Sequence, residues 1–253
     1  MNIIKYFAVF LVCALSATST QAAEPDWQPY AALLHDHVHA GERNNIRLNL
    51  VDYNAWANDK HWPALLAALR DFNTDKLTDR NEKLAFWINT YNILAIKMVI
   101  DHAPLASIRD VGSFFSPVWK KTAGIIAGKQ RSLHEIEHEI LRSMGEPRIH
   151  FAIVCASVSC PDLRMQAYRA ATLDAQLNDQ TRRFLNTPGK GMKISGNNIY
   201  ISKIFDWFAD DFTASGGVDA FVRKYRTEKP LTTDSLTYLD YDWSLNNSST
   251  VKQ

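Results

Sequence analysis

Two spacings of apolar residues divide the chain. Apolar positions three and four apart mark helices, and strict alternation marks strands. Tyr30 to His39 reads as a short helix. Ile46 to Tyr53 alternates apolar and polar and reads as a strand. Trp62 to Phe72 carries Leu65, Leu66, Leu69 and Phe72 at helical spacing, with Pro63 in the first turn, where proline is tolerated. The strongest helix runs from Asp79 to Ile100. Asp79 and Glu82 have capping-box spacing, and Leu84, Trp87, Ile88, Tyr91, Leu94, Ala95, Met98 and Val99 form one stripe.

The second half mixes the two patterns. Trp119 to Lys129 reads as extended chain turning at Gly124 and Gly128. Ser132 and Glu135 cap a helix that runs through Met144 and stops at Gly145. Arg148 to Cys155 is predicted as a buried strand, Leu173 to Leu185 as a helix, and Met192 to Ser202 as a hairpin around Gly196-Asn197-Asn198. Ile204 to Phe212 and Val218 to Tyr225 are short helices, and Leu236 to Tyr241 is a last strand. Helices and strands do not alternate one for one. The expected class is therefore α+β, a single domain over 23–246 with helices packed on a small, mainly antiparallel sheet. Residues 247–253 read as a frayed tail.

The N-terminus changes the setting. Lys5, an apolar run from Tyr6 to Leu15 and the small-residue ending Thr20-Gln21-Ala22 have the form of a secretory signal over residues 1–22. The run is short of the roughly 20 residues that span a bilayer, and no later run is long enough. The expected location is periplasmic or extracellular. Losing Lys5 takes the formal charge from +1 to 0, which gives no electrostatic case for nucleic acid. The expected partner is a small molecule or a peptide, and no cofactor is called for.

Two cysteines remain after the signal, Cys155 and Cys160. In an exported chain an isolated pair suggests a disulfide. The rival reading makes one of them a nucleophilic or redox thiol, which needs a nearby base or cation. All eight histidines lie at or before position 150, so any Cys–His pair must use an upstream histidine, with His138 and His150 nearest. His134-Glu135-Ile136-Glu137-His138 matches H-E-x-x-H, the helical zinc signature. Glu135 is already committed to the cap and no clear third ligand follows, so zinc at His134 and His138 is the lesser alternative. Asn89 and Asn92 sit three apart inside the apolar helix and must be hydrogen-bonded if buried. They orient a ligand, a loop or a catalytic side chain, or they bridge the helix to a neighbour. Asp242 and Trp243 either close over a site or seal the core.

The pieces Ala85-Phe86-Trp87-Ile88-Asn89 with Tyr91-Asn92, Ser132-Leu133 with Ile136-Glu137-His138 and Leu141-Arg142, Pro147 to Ala152, Cys155 to Pro161 and Tyr241-Asp242-Trp243 together resemble the domain-of-unknown-function 547 family, from about Asn81 to Asn246. The resemblance implies a fold without an activity. It implies that Glu137, His138, Arg148, His150, Cys155 and Cys160 belong to the shared pattern, and that His134 does not.

The expected site is a polar cleft between the Asn89/Asn92 helix, the Glu137/His138 helix and the cysteine loop. Cys155 or Cys160 would be the nucleophile and His138 or His150 the base. Glu137 or Asn89 would be the orienter, with Asn92, Arg148 and Asp242 placing ligand or loop. The reaction would be thiol-dependent acyl transfer or hydrolysis, or thiol–disulfide exchange. The alternative is a non-catalytic binding or scaffold module with a permanent Cys155–Cys160 bridge.

Overall fold

The computed structural model describes residues 24–113, 115–195, 198–226 and 236–248. The expected signal over 1–22, the hairpin tip Gly196-Asn197 and residues 249–253 lie outside them. Among the described residues no helix is long and apolar enough to cross a membrane.

The fold is mixed α and β, with helices packed against three small sheets. Helix α1 (Gln28–His37) leads into strand β1 (Val38–Arg43), which pairs antiparallel with β2 (Ile46–Val51). The short α2 (Tyr53–Ala57) and α3 (His61–Asp71) follow. Helix α4 (Arg80–Asp101) is the spine. Its capping box forms as spaced: Asp79 accepts from the Glu82 N–H, and the Glu82 carboxylate accepts from the Asp79 N–H. Every residue from Leu84 to Ile96 is buried, because α2, β3 and the helix over Glu135–Leu141 pack around it.

Strands β3 (Thr122–Ile126) and β4 (Lys129–Ser132) make a hairpin whose turn carries Gly128 at φ +73°. Gly124 is a strand residue and not a turn. A Cβ there would meet the Leu94 side chain at 2.5 Å, so this glycine admits α4 to the sheet. A π-helix over Glu135–Leu141 comes next. It is entered through the Ser132 hydroxyl, which accepts from the Glu135 N–H, and the helical run stops at Gly145 with φ +64°. The Glu135 carboxylate pairs with Arg131 and does not close the expected box.

The strand expected over Arg148 to Cys155 does not form. Pro147–Phe151 is a 3-10 helix, and the chain beyond it is irregular. Pro147 at the first helical position favours the helix. Asn92 then replaces the missing strand neighbour. Its Nδ2 donates to the Ala152 carbonyl at 3.0 Å, and its Oδ1 accepts from the Val154 N–H at 2.9 Å. Asn89 makes the same double bond to the backbone of Tyr168. Both asparagines are therefore structural bridges that place a loop.

Helix α5 (Leu173–Leu185), the hairpin β5 (Met192–Ser195) and β6 (Asn198–Ile201), α6 (Ile204–Trp207) and α7 (Gly217–Tyr225) build the C-terminal part. Strand β7 (Leu236–Tyr238) adds to β6 in parallel. The first two residues of the expected tail are tied to β2: the Ser248 N–H donates to the Val51 carbonyl at 2.9 Å, and Asn247 bridges Val51. The buried apolar residues form two clusters. One surrounds α4; the other holds Phe151, Phe184, Phe205, Phe212 and Phe221. Phe151 inserts into the second cluster although its neighbours Ile149 and Ala152 belong to the first.

Asn92→Ala orphans two buried backbone groups and is expected to lower stability by roughly 2–4 kcal/mol. Asn58→Ala, at an exposed asparagine, is expected within about 0.5 kcal/mol of wild type. Urea unfolding of both variants measures this, and equal midpoints would refute the bridging role.

Candidate active site

The cysteine loop is stitched to the C-terminal segment by backbone bonds. The Val158 N–H donates to Ser244, the Ser159 N–H to Asp242, and the Asn246 N–H to Ala156. Ala156 sits at φ +59°, a left-handed conformation rare for a residue with a Cβ. The turn it makes lets Ser157 reach back to Cys155, Oγ to Sγ 3.1 Å.

The two sulfurs lie 2.7 Å apart as free thiols. The disulfide expected from composition is not present in this structure. The Cys155 N–H donates to the Cys160 sulfur at 2.7 Å, and the Tyr241 hydroxyl stands 3.3 Å from the Cys155 sulfur. Burial opposes ionisation of Cys155. Hydrogen bonds to its sulfur from Cys160, Ser157 and Tyr241 outweigh that burial and hold the thiol down to about 7. Burial pushes the Cys160 thiol up, and the Cys155 thiolate adds to the rise. The pair is unequal: Cys155 is half-buried and acidic, Cys160 buried and protonated.

A cleft of about 280 Å³ opens on this pair. Tyr91, Glu137, His134, His138 and His150 line one part of it, and Trp119, Trp207, Phe208, Tyr241 and Trp243 another. It runs along the junction of the two apolar clusters, with Ile153 from one and Ile204 from the other. The π-helix supplies Glu137 and His138; such helices often occur at functional sites. Tyr91 on α4 donates to the Glu137 carboxylate at 3.1 Å. Burial raises Glu137 to about 7, with the Cys155 charge adding to it against the Tyr91 bond.

The histidines are held by a third group that sequence reasoning missed. The Arg142 guanidinium grips the Asp211 carboxylate with two bonds of 2.6 and 2.8 Å. Arg142 also donates to His138 Nδ1 at 2.8 Å. A guanidinium only donates, so Nδ1 accepts and the neutral ring carries its proton on Nε2. Burial, with the adjacent His134 and Arg142, holds His138 down to about 4. His150 Nε2 donates to Asp211 at 2.7 Å, and its ring stacks on Phe208 at 4.1 Å. Burial keeps it neutral, so Nδ1 is its unprotonated nitrogen. Neither imidazole is among the hydrogen-bond partners of either sulfur.

His134 and His138 face each other with ring centres 4.5 Å apart. Among the described residues, no group of three side chains is placed to hold a metal ion. The Arg142 cation beside His138 argues against a cation there as well. Arg148 binds Glu146, Asp174 and Asn178, which pins the 3-10 helix to α5. Asp242 caps Ser244 and accepts from Asn44. Neither Arg148 nor Asp242 lines the cleft, so both act on the frame.

The family model described as a protein of unknown function, DUF547, matches residues 74–185. That stretch of the chain is similar to the DUF547 family. That segment contains Tyr91, Glu137, His138, Arg142, His150 and both cysteines, but ends before Asp211, Tyr241 and Trp243. It is shorter than the span over which the sequence resembles the family. No curated protein and no solved structure matches the chain. The matched stretch thus holds the thiols, most of the charged wall and Trp119, while Trp207, Phe208, Tyr241, Trp243 and the Asp211 anchor come from chain beyond it.

The cleft groups set a pH dependence of stability. Glu137 ionises at about 7 in the fold against 4.5 ordinarily, so its contribution is full below pH 4.5 and is lost as pH rises through 7. His138 ionises at about 4 against 6.5, so its contribution is full above pH 6.5 and is lost as pH falls to 4. Thermal unfolding between pH 4 and 8 is expected to show a flatter alkaline limb in Glu137→Gln and a flatter acid limb in His138→Gln. Profiles parallel to wild type would contradict these assignments.

Proposed function

We propose that the protein is an exported thiol–disulfide exchange enzyme with Cys155 as nucleophile and Cys160 as resolving thiol. The observation that carries the reading is the unequal pair of sulfurs 2.7 Å apart at the base of an aromatic cleft. An acyl-transfer enzyme needs one thiol and a base. Exchange needs an acidic thiol that meets the substrate and a second thiol within bonding reach of the first.

The Cys155 thiolate attacks one sulfur of a substrate disulfide. A mixed disulfide forms, the substrate S–S bond breaks, and the first substrate sulfur leaves as a thiolate that takes the Glu137 proton. Cys160 then gives its proton to the Glu137 carboxylate and attacks the Cys155 sulfur. The mixed disulfide breaks, and the second substrate sulfur leaves as a thiolate that takes a proton from solvent. Two electrons pass from the protein thiols to the substrate, leaving a Cys155–Cys160 disulfide and two substrate thiols. Tyr91 positions Glu137, and Tyr241 and Ser157 stabilise the Cys155 thiolate. An oxidising compartment supplies such substrates.

One observation favours a second reading, acyl transfer from Cys155. His150 and Asp211 form a histidine–carboxylate pair on the same cleft. His150 is only 3% exposed and packed on Phe208, which limits its use as a base.

Alkylation of the reduced protein by iodoacetamide is expected to titrate near pH 7 at Cys155. Tyr241→Phe removes a thiolate hydrogen bond and should move that midpoint up by about half a unit to one unit. Cys160→Ser is expected to accumulate a mixed disulfide with a small disulfide substrate, where wild type passes on to the internal bridge. A midpoint near 9, or no trapped adduct, would overturn exchange. Thioester cleavage kept by Cys160→Ser and lost in His150→Gln would establish the acyl reading in its place.

A further inference from the structure

The aromatic wall of the cleft has a second side. Trp119 and Trp243 also line a groove of about 630 Å³ with Ser107, Arg109, Asp110 and Ser113. The two hollows share these two indoles. Arg109 lies with its guanidinium carbon 5.0 Å from the Trp243 ring centre. Among the described residues it forms no ion pair. Its neighbour Asp110 is engaged in capping a short turn, where Oδ2 accepts from the Ser107 N–H at 2.9 Å. The segment 107–121 carries Arg109, Lys120 and Lys121 against this one carboxylate.

A guanidinium stacked on an indole keeps its N–H edge open and loses little freedom when it binds. Its planar fork matches a carboxylate. The cleft on the other side of the wall offers Ile153, Ile204 and Phe208 beside the sulfurs. We propose that the Arg109 groove is a second subsite, which binds a carboxylate of the substrate while an apolar part lies in the cleft at Cys155. The substrate class is an acidic, peptide-like disulfide. This assignment rests on the exchange reading for its chemistry but not for its binding.

Glutathione disulfide and its glycyl ester serve as probes of the reduced protein. Wild type is expected to react with the free acid roughly three- to fivefold faster than with the ester, the range an accessible ion pair supplies. Arg109→Gln should abolish that preference and leave the ester rate unchanged, and Arg109→Lys should keep part of it. Equal rates with both probes in wild type, or equal slowing of both in Arg109→Gln, would overturn the subsite. S-methylglutathione and its ester, which have no disulfide, separate binding from chemistry through tryptophan fluorescence titration. If neither disulfide oxidises the cysteines, the exchange reading fails. The subsite then stands if the free acid of the thioether binds more tightly in an Arg109-dependent way, and falls if it does not.

Discussion

The site depends on one buried amide. Asn92 lies inside the buried spine helix and spends both ends of its side chain on the backbone of residues 152 and 154. A helix has no backbone groups to offer a neighbour, because its own ladder uses them. A carboxamide carries a donor group and an acceptor group side by side, as a peptide does, so it can stand in for an adjacent strand. The chain that reaches Cys155 is irregular, and without this pairing its buried polar groups would have no partner. Asn89 repeats the device at Tyr168, so the spine helix positions two loops from consecutive turns.

From that anchor the cleft is assembled across a seam. One apolar cluster packs around α4 and the other around the phenylalanines of the C-terminal part, and the 3-10 helix spans both. A seam between two cores leaves room that a single core would close. Charge is placed along it with economy. Asp211 holds Arg142 and His150, and Arg142 in turn fixes the proton of His138. The result is a wall with neutral imidazoles of defined tautomer, beside a carboxyl that is half-protonated near neutrality.

The thiols gain their difference from their surroundings. Both are removed from bulk solvent, which disfavours either anion. Ser157 stands 3.1 Å and Tyr241 3.3 Å from the Cys155 sulfur, and these contacts with the close Cys160 sulfur favour a single negative charge at Cys155. Tyr241 comes from the C-terminal segment and is itself held between Trp207 and Trp243 at 4.8 and 4.6 Å. The acidity of Cys155 is thereby linked to the aromatic wall that shapes the entrance.

Much of this was legible in the residues. The caps at Asp79 and Ser132, the stop at Gly145, helix α5 and the hairpin at 192–201 follow from short-range spacing, because local sterics and local hydrogen bonds decide them. Glu137, His138, His150 and the cysteines were also recognisable as a group. The strand expected over 148–155 failed because alternation reports burial and not pairing, and here Asn92 supplied the partner. The role of Asp211, the approach of Tyr241 to Cys155 and the sharing of two tryptophans by two hollows had no sequence signal. Each joins residues tens of positions apart, and only packing sets such distances. The sequence by itself determined the locally capped elements, because short-range sterics and hydrogen bonds set them. The tertiary structure decided which sulfur is acidic, since the Tyr241 hydroxyl joins the nearby Ser157 and Cys160 only when the C-terminal segment packs on the cysteine loop.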